Sequence, residues 1–175
     1  MILHSSGYAT EEAIGKRVEE RRMKQRILIN VRNGIVLLVV GGLAYNLIEI
    51  LWRGYSHWTM FLVGGVCFQM IGRIHTALKK WNVVKRCALC SLGVTVIEFI
   101  SGCLFNLALG MQVWDYSYLP FNLLGQVCLL YSVLWGGLSL AAVPLYTLLL
   151  RWLNAPRGKA RTADADALHS VNSGK

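Results

Sequence analysis

The sequence predicts an all-α membrane protein of four transmembrane helices, arranged as two tandem hairpins behind a basic N-terminal cytoplasmic helix. Three observations carry this prediction. The chain of 175 residues is 55% hydrophobic and only 15% charged, and its mean hydropathy of +0.46 is too high for an ordinary soluble domain of this size. Its charges crowd into the first 32 residues, a short middle stretch and the tail, which is the segregation that a bilayer imposes. Between those charged stretches lie four apolar runs near the 20 or so residues that a span requires.

The first 32 residues are polar and basic. Thr10 followed by Glu11 and Glu12 predicts a helix N-cap with acids in the first turn. Glu12 with Lys16, and Glu20 with Lys24, are favourable i,i+4 pairs. Ile14, Val18, Met23 and Ile27 trace a ragged apolar face, so this helix is either solvated or held against anionic headgroups by Arg17, Arg21, Arg22 and Lys24.

A transmembrane domain over residues 33–152 follows, with spans at about 34–52, 58–74, 87–109 and 127–150. The short 53–57 connector makes the first two spans a hairpin, and the longer 110–126 loop closes the second. Arg73 can snorkel from the end of the second span, and Pro144 removes one backbone bond from the fourth. Residues 153–175 are rich in small polar residues and predict a disordered cytoplasmic tail.

Orientation follows from Lys and Arg. Seven precede the first span, five lie between the second and third, five follow the fourth, and only Arg53 lies on the other side. That bias puts both termini in the cytoplasm. Because the basic residues flank spans, they predict a bilayer as partner and no nucleic acid.

An internal repeat is also visible. Residues 54–67 (GYSHWTMFLVGGVC) align without gaps on residues 115–128 (DYSYLPFNLLGQVC), with Tyr55, Ser56, Leu62, Gly64, Val66 and Cys67 matching Tyr116, Ser117, Leu123, Gly125, Val127 and Cys128. Each unit starts in the cytoplasm, crosses and returns, so this predicts a parallel repeat with a pseudo-two-fold axis along the membrane normal.

The candidate pathway residues are carboxylates placed where they are costly. Glu98 lies deep in the third span and Glu49 near the end of the first, four residues before Arg53. A buried carboxylate must be paired, neutralised or hydrated. Glu98, Glu49, Arg53, Asp115 and Asn122 could therefore line a polar cavity that binds a cation, a proton or a cationic group. The structural alternative has Glu98 protonated and bonded to Asn46, Gln69 or a hydroxyl, with Glu49 and Arg53 clamping a helix end. His57, Trp58, Trp114, Tyr116 and Tyr118 are expected at the interfacial aromatic belt. Asp115, Ser117, Pro120 and Asn122 are turn formers, and the loop that holds them, with Gly125, could dip into the bundle. Glycines at 41, 42, 64, 65, 102, 136 and 137 would permit close helix approach.

Other chemistry is missing. There is no GxxxxGK phosphate loop, GxSxG elbow or HExxH pair. The four histidines lack metal-ligand spacing, and Cys87 and Cys90, though spaced CxxC, have no second pair. No enzyme activity, cofactor or metal is expected.

The segments YNLIEILWRGYSHWTM, EFISGCLFNLALG and VWDYSYLPFNLLGQVCLLYSVLWG resemble the ABC-transporter type IV, or permease-like, family of small bacterial multi-pass membrane proteins. On that resemblance Glu49, Arg53, Glu98, Trp114, Asp115, Tyr116, Pro120, Asn122 and Gly125 occupy motif positions. The resemblance implies transport through the bacterial cytoplasmic (inner) membrane, driven by a separate ATPase. A small transport or channel protein, oligomeric or joined to other membrane subunits, is the leading expectation. A non-transporting accessory or holin-like membrane-perturbing protein is the alternative.

Overall fold

A computed structural model of the chain describes residues 5–155, with side chains from residue 15 onward. The Glu12 carboxylate expected to pair with Lys16 lies outside the described side chains, and the tail beyond residue 155 lies outside the described residues. Among the described residues, four helices are long and apolar enough to cross a membrane. They are α1 (Ser5–Arg53), α2 (Trp58–Ala77), α3 (Val83–Gly102) and α4 (Leu129–Asn154).

Helix α1 corrects the expected start at Thr10, because it already begins at Ser5. It also crosses the expected boundary at residues 32–33 without a break, since nothing in that stretch removes a backbone donor. At 1.5 Å per residue its 49 residues reach about 73 Å, more than twice a hydrocarbon core of about 30 Å. Residues 15–31 are exposed throughout, so this part of the helix projects beyond the bundle. There Lys24 and Glu20 form the expected pair at 2.6 Å, with both side chains well exposed, and such a pair adds little stability.

The next two helices start on side-chain caps. His57 Nδ1 accepts from the Thr59 backbone N–H at 3.3 Å, and Asn82 Oδ1 accepts from that of Val84 at 3.0 Å. A cap supplies one of the partners that the first turn lacks, and so α3 begins at Val83, four residues ahead of the predicted span. At its other end α3 passes into a π-helical segment, Cys103–Ala108. Helix α4 starts at Leu129, later than predicted, because Val127 and Cys128 pair as a strand with Asn122 and Leu123. It continues through Pro144.

The repeat seen in the sequence does not carry over to local structure. Residues 58–67 are helical, whereas the matching residues 119–128 form a turn and the small antiparallel strand pair. Gly64 sits inside α2, while Gly125 has φ +68° in a loop. A shared letter in two different backbone states places the two windows in different environments.

Helix α2 is the centre of the bundle, with half of its apolar window buried against 11% for α4. Its Val63, Cys67 and Ile71 pack on Cys90 and Val94 of α3. Phe68 joins Leu37 of α1 and Tyr146 of α4. Helices α1 and α2 pack closely through small residues. A Cβ on Gly41 would strike the Phe68 side chain, and one on Gly64 would strike Tyr45, so both positions exclude any larger residue.

Candidate functional site

Helices α1 and α4 are joined at one end and parted at the other. At the end near the basic segment, Arg32 donates to the Leu153 carbonyl at 2.9 Å and Asn33 Nδ2 donates to Asn154 Oδ1 at 2.9 Å. Toward the end that carries the long loop, a cavity of about 1550 Å³ opens between the two helices and is roofed by that loop. The volume exceeds the roughly 300–1,000 Å³ of ordinary small-molecule sites. At the mouth, Trp52 of α1 reaches across to Tyr131 of α4, its Nε1–H donating to the hydroxyl at 3.2 Å.

The loop is built as a folded wall. The π-helical turn, a local geometry common at functional sites, presents Asn106 to it. Asn106 Nδ2 donates to the Trp114 carbonyl at 2.9 Å and to Gln126 Oε1 at 2.8 Å, and Asn106 Oδ1 accepts from the Val113 N–H at 2.6 Å. Trp114 is buried, its Nε1 donating to the Gln126 carbonyl at 2.9 Å. The belt position expected for Trp114 is therefore corrected: its indole N–H is taken up inside the protein. Tyr118 and Trp58 are exposed, as a belt requires. Close to α3, a Cβ on Gly102 would meet Gln126 Oε1 at 2.6 Å.

Asp115 and Asn122 hold the loop's own backbone. Asp115 Oδ1 accepts from the Ser117 N–H at 2.8 Å, and its Oδ2 from the Ser117 hydroxyl at 2.7 Å. These two bonds keep the carboxyl below its usual range. Asn122 Nδ2 donates to the Ser117 and Leu119 carbonyls, while Asn122 Oδ1 accepts from the Gly125 N–H at 3.1 Å. Gly125 is the glycine that this loop requires. Its φ of +68° disfavours a side chain, and a Cβ would lie 2.6 Å from Asp115 Oδ1. Pro120 sits exposed at the tip of the same turn.

Glu49 and Arg53 both line the cavity and are paired with each other. Arg53 Nη2 and the Ser56 hydroxyl donate to the two Glu49 oxygens. The guanidinium also lies 4.8 Å from the centre of the Tyr55 ring. Arg53 Nε is buried and has no hydrogen-bond partner among the described residues.

Glu98 is buried at 2% exposure but stands behind the cavity wall. Its Oε1 accepts from the Tyr116 hydroxyl at 3.1 Å and its Oε2 from Trp135 Nε1 at 2.9 Å. Tyr116 and Trp135 line the cavity; Glu98 does not. Of the expected partners Asn46, Gln69 or a hydroxyl, it is a hydroxyl that Glu98 meets, that of Tyr116, joined by the Trp135 indole; Asn46 Oδ1 is buried with no partner among the described residues, and Gln69 Oε1 accepts from Arg73 at 3.4 Å. Burial, and then the Glu98 charge, push the Tyr116 phenol up, so that it keeps its proton and donates. Tyr116 also stacks on Tyr131 with centroids 4.8 Å apart. Tyr45 packs against Trp135 at 5.7 Å.

Of the five candidate pathway residues, the structure brings Glu49, Arg53 and Asp115 to one cavity. It sets Glu98 one layer behind and leaves Asn122 inside the loop. Sequence reasoning missed Trp52, Asn106, Gln126, Tyr131 and Trp135. All five lie within the segments that carry the family resemblance, but none stands at a motif position named there, and nothing else in the sequence marked them.

Residues 1–162 match the family described as Putative ABC-transporter type IV. The chain belongs to this family. The matched residues of this family member include all four apolar helices, the roofing loop and every residue of the cavity wall. No solved structure matches it.

Proposed function

We propose that this family member is a small integral transport protein and that the cavity between α1 and α4 is its cargo chamber. The carrying observation is the asymmetry of the two helices. They are bonded together beside the basic segment and held apart, around charged and aromatic groups, below the loop. Intramembrane polar groups that are paired and line a cavity are the usual form of a membrane pathway. Access from one side only is the state that an alternating mechanism requires.

In this reading the helices form two hairpins with both termini in the cytoplasm, so the chamber opens to the opposite side, where Arg53 is the lone basic residue. The membrane is the bacterial cytoplasmic one. Glu49 and Arg53 contact cargo at the mouth, and Glu98 is a positioning residue that fixes Tyr116 and Trp135 in the wall. Further copies or other membrane subunits cover the exposed apolar faces, and a separate ATPase supplies energy.

Proteoliposomes test the proposal. Two fluxes are followed in the same vesicles: protons, with an entrapped pH dye, and a headgroup-labelled lipid, by quenching from outside. The wild type, alone or with a co-purified ATPase, is expected to pass at least one of them. Glu49→Gln is expected to lower that flux at least tenfold while Glu98→Gln retains it. Absence of both fluxes from folded wild-type protein in both preparations would overturn the reading.

A further inference from the structure

The chamber does not end where its polar lining ends. A second cavity of about 250 Å³ adjoins it deeper between the helices, and the two share Tyr45, Ile48, Trp135, Leu138 and Ala141. Among the described residues no charged one lines the second cavity; its surface is made by residues such as Gly41, Phe68 and Leu145. A charged mouth and an apolar end therefore lie side by side between the helices, with these five residues common to both. A small polar solute would leave the apolar end unmatched, and a plain hydrocarbon would leave the charges unmatched.

The mouth also specifies the charge of the polar part. Arg53 gives one N–H to Glu49 and stacks on Tyr55, yet its buried Nε–H has no partner among the described residues. A guanidinium that holds a carboxylate with one Nη in a half-dry site favours a phosphate oxygen on its other N–H donors that face the cavity. Glu49 and Asp115 bring two carboxylates to the same cavity against this one guanidinium. Asp115 is fully exposed, and each of its oxygens receives one bond from Ser117 and keeps a lone pair free. An ammonium group beside the phosphate answers that excess.

We infer that the α1/α4 crevice binds a zwitterionic phospholipid-like amphiphile, its phosphate on Arg53, its ammonium toward the carboxylates, and one alkyl chain in the apolar cavity beyond Ala141. This rests on the cargo-chamber reading and names the substrate class. The crevice is bordered by the lipid-facing residues Val133 and Leu134, so the amphiphile enters sideways from the bilayer. A second alkyl chain stays outside among the lipids, because the apolar cavity is too small for two.

Photolabelling in solution tests the inference without any flux. The full chain is purified in an alkyl maltoside, so that a neutral amphiphile is already present in excess. A single-chain alkyl phosphoethanolamine with a diazirine near its tail end is then added and activated. Labelling is expected on Phe68 and Leu145, to be displaced by unlabelled alkyl phosphoethanolamine, and to resist inorganic phosphate mixed with ethanolamine. Arg53→Gln is expected to lower it at least tenfold. Ala141→Trp, which adds bulk where the two cavities meet, is expected to remove it at Phe68 while Glu49 and Arg53 keep their pair. Thermal unfolding confirms that each variant is folded, and either one alone suffices for the test. Labelling spread over lipid-facing positions such as Leu92 and Ile100, labelling indifferent to both variants, or displacement by free phosphate would each overturn the inference. Binding with silent vesicles would sink the transport reading alone, and flux without binding would sink this one alone.

Discussion

Glu98 shows what a buried carboxylate does when two neutral donors meet it. Tyr116 and Trp135 come from the loop and from α4, so a single side chain on α3 ties two parts of the wall to the helix behind it. Glu98→Gln keeps a carbonyl for the indole, and the Tyr116 hydroxyl can turn to accept from the new amide. Glu98→Leu leaves both donors buried and unmet, at about 1–3 kcal/mol each. Thermal unfolding in detergent should therefore show the Gln variant near wild type and the Leu variant several degrees lower. Asp115 makes a second residue-scale prediction. Its carboxyl is held below the usual range by the Ser117 N–H and hydroxyl. The turn is therefore fully supported above that range and loses its support only as pH falls through the depressed value. The fluorescence of buried Trp114 should stay flat from neutral to mildly acid pH and change only in stronger acid; Asp115→Asn should abolish that acid transition. The cost of burying Glu98 was legible in the sequence, because an acid twelve residues past Arg86 in an apolar run must find a partner. A hydroxyl partner was foreseen, but which hydroxyl, and the indole beside it, were not, since Tyr116 and Trp135 lie 18 and 37 residues away through the loop.

At the scale of elements, the four apolar helices were legible because a bilayer forces a long run of one chemical type. Their ends were not. Asn82 sets the start of α3 with one cap, and the strand pair delays α4 to Leu129, and both effects depend on local hydrogen bonds that hydropathy does not carry. The π-helical turn was invisible for the same reason. The two windows of the repeat differ in local structure because identical letters at Gly64 and Gly125 answer different demands. One allows two helices to touch, and the other supplies a positive φ. This distinction is testable. Gly64→Leu should force α1 from α2 at Tyr45, where a Cβ already has no room. A loss of several kcal/mol is expected, in the range of about 1–3 or more for overpacking, and it should appear as a lowered unfolding midpoint with a disturbed Tyr45 environment. The small residues on the spans were readable as approach points, but which helix each one admits was not.

For the whole molecule, the account rests on one shape: two helices pinned at Arg32, Asn33, Leu153 and Asn154 and parted around Glu49 and Arg53. Composition and charge placement foretold a membrane protein, and the motif positions foretold its family. They could not foretell that Glu98 would stand behind the wall, because that depends on how the loop folds over α3. The most direct test of the shape is the reaction of single cysteines with a membrane-impermeant thiol reagent, added from the side opposite the basic termini, after the five native cysteines are replaced. Ile48→Cys and Leu138→Cys should react readily, Leu37→Cys at the pinned end and Val94→Cys in the core should stay silent, and reagent added from the basic side should label none of the four. Silence at Ile48 and Leu138, or equal labelling from both sides, would contradict a one-sided chamber between α1 and α4.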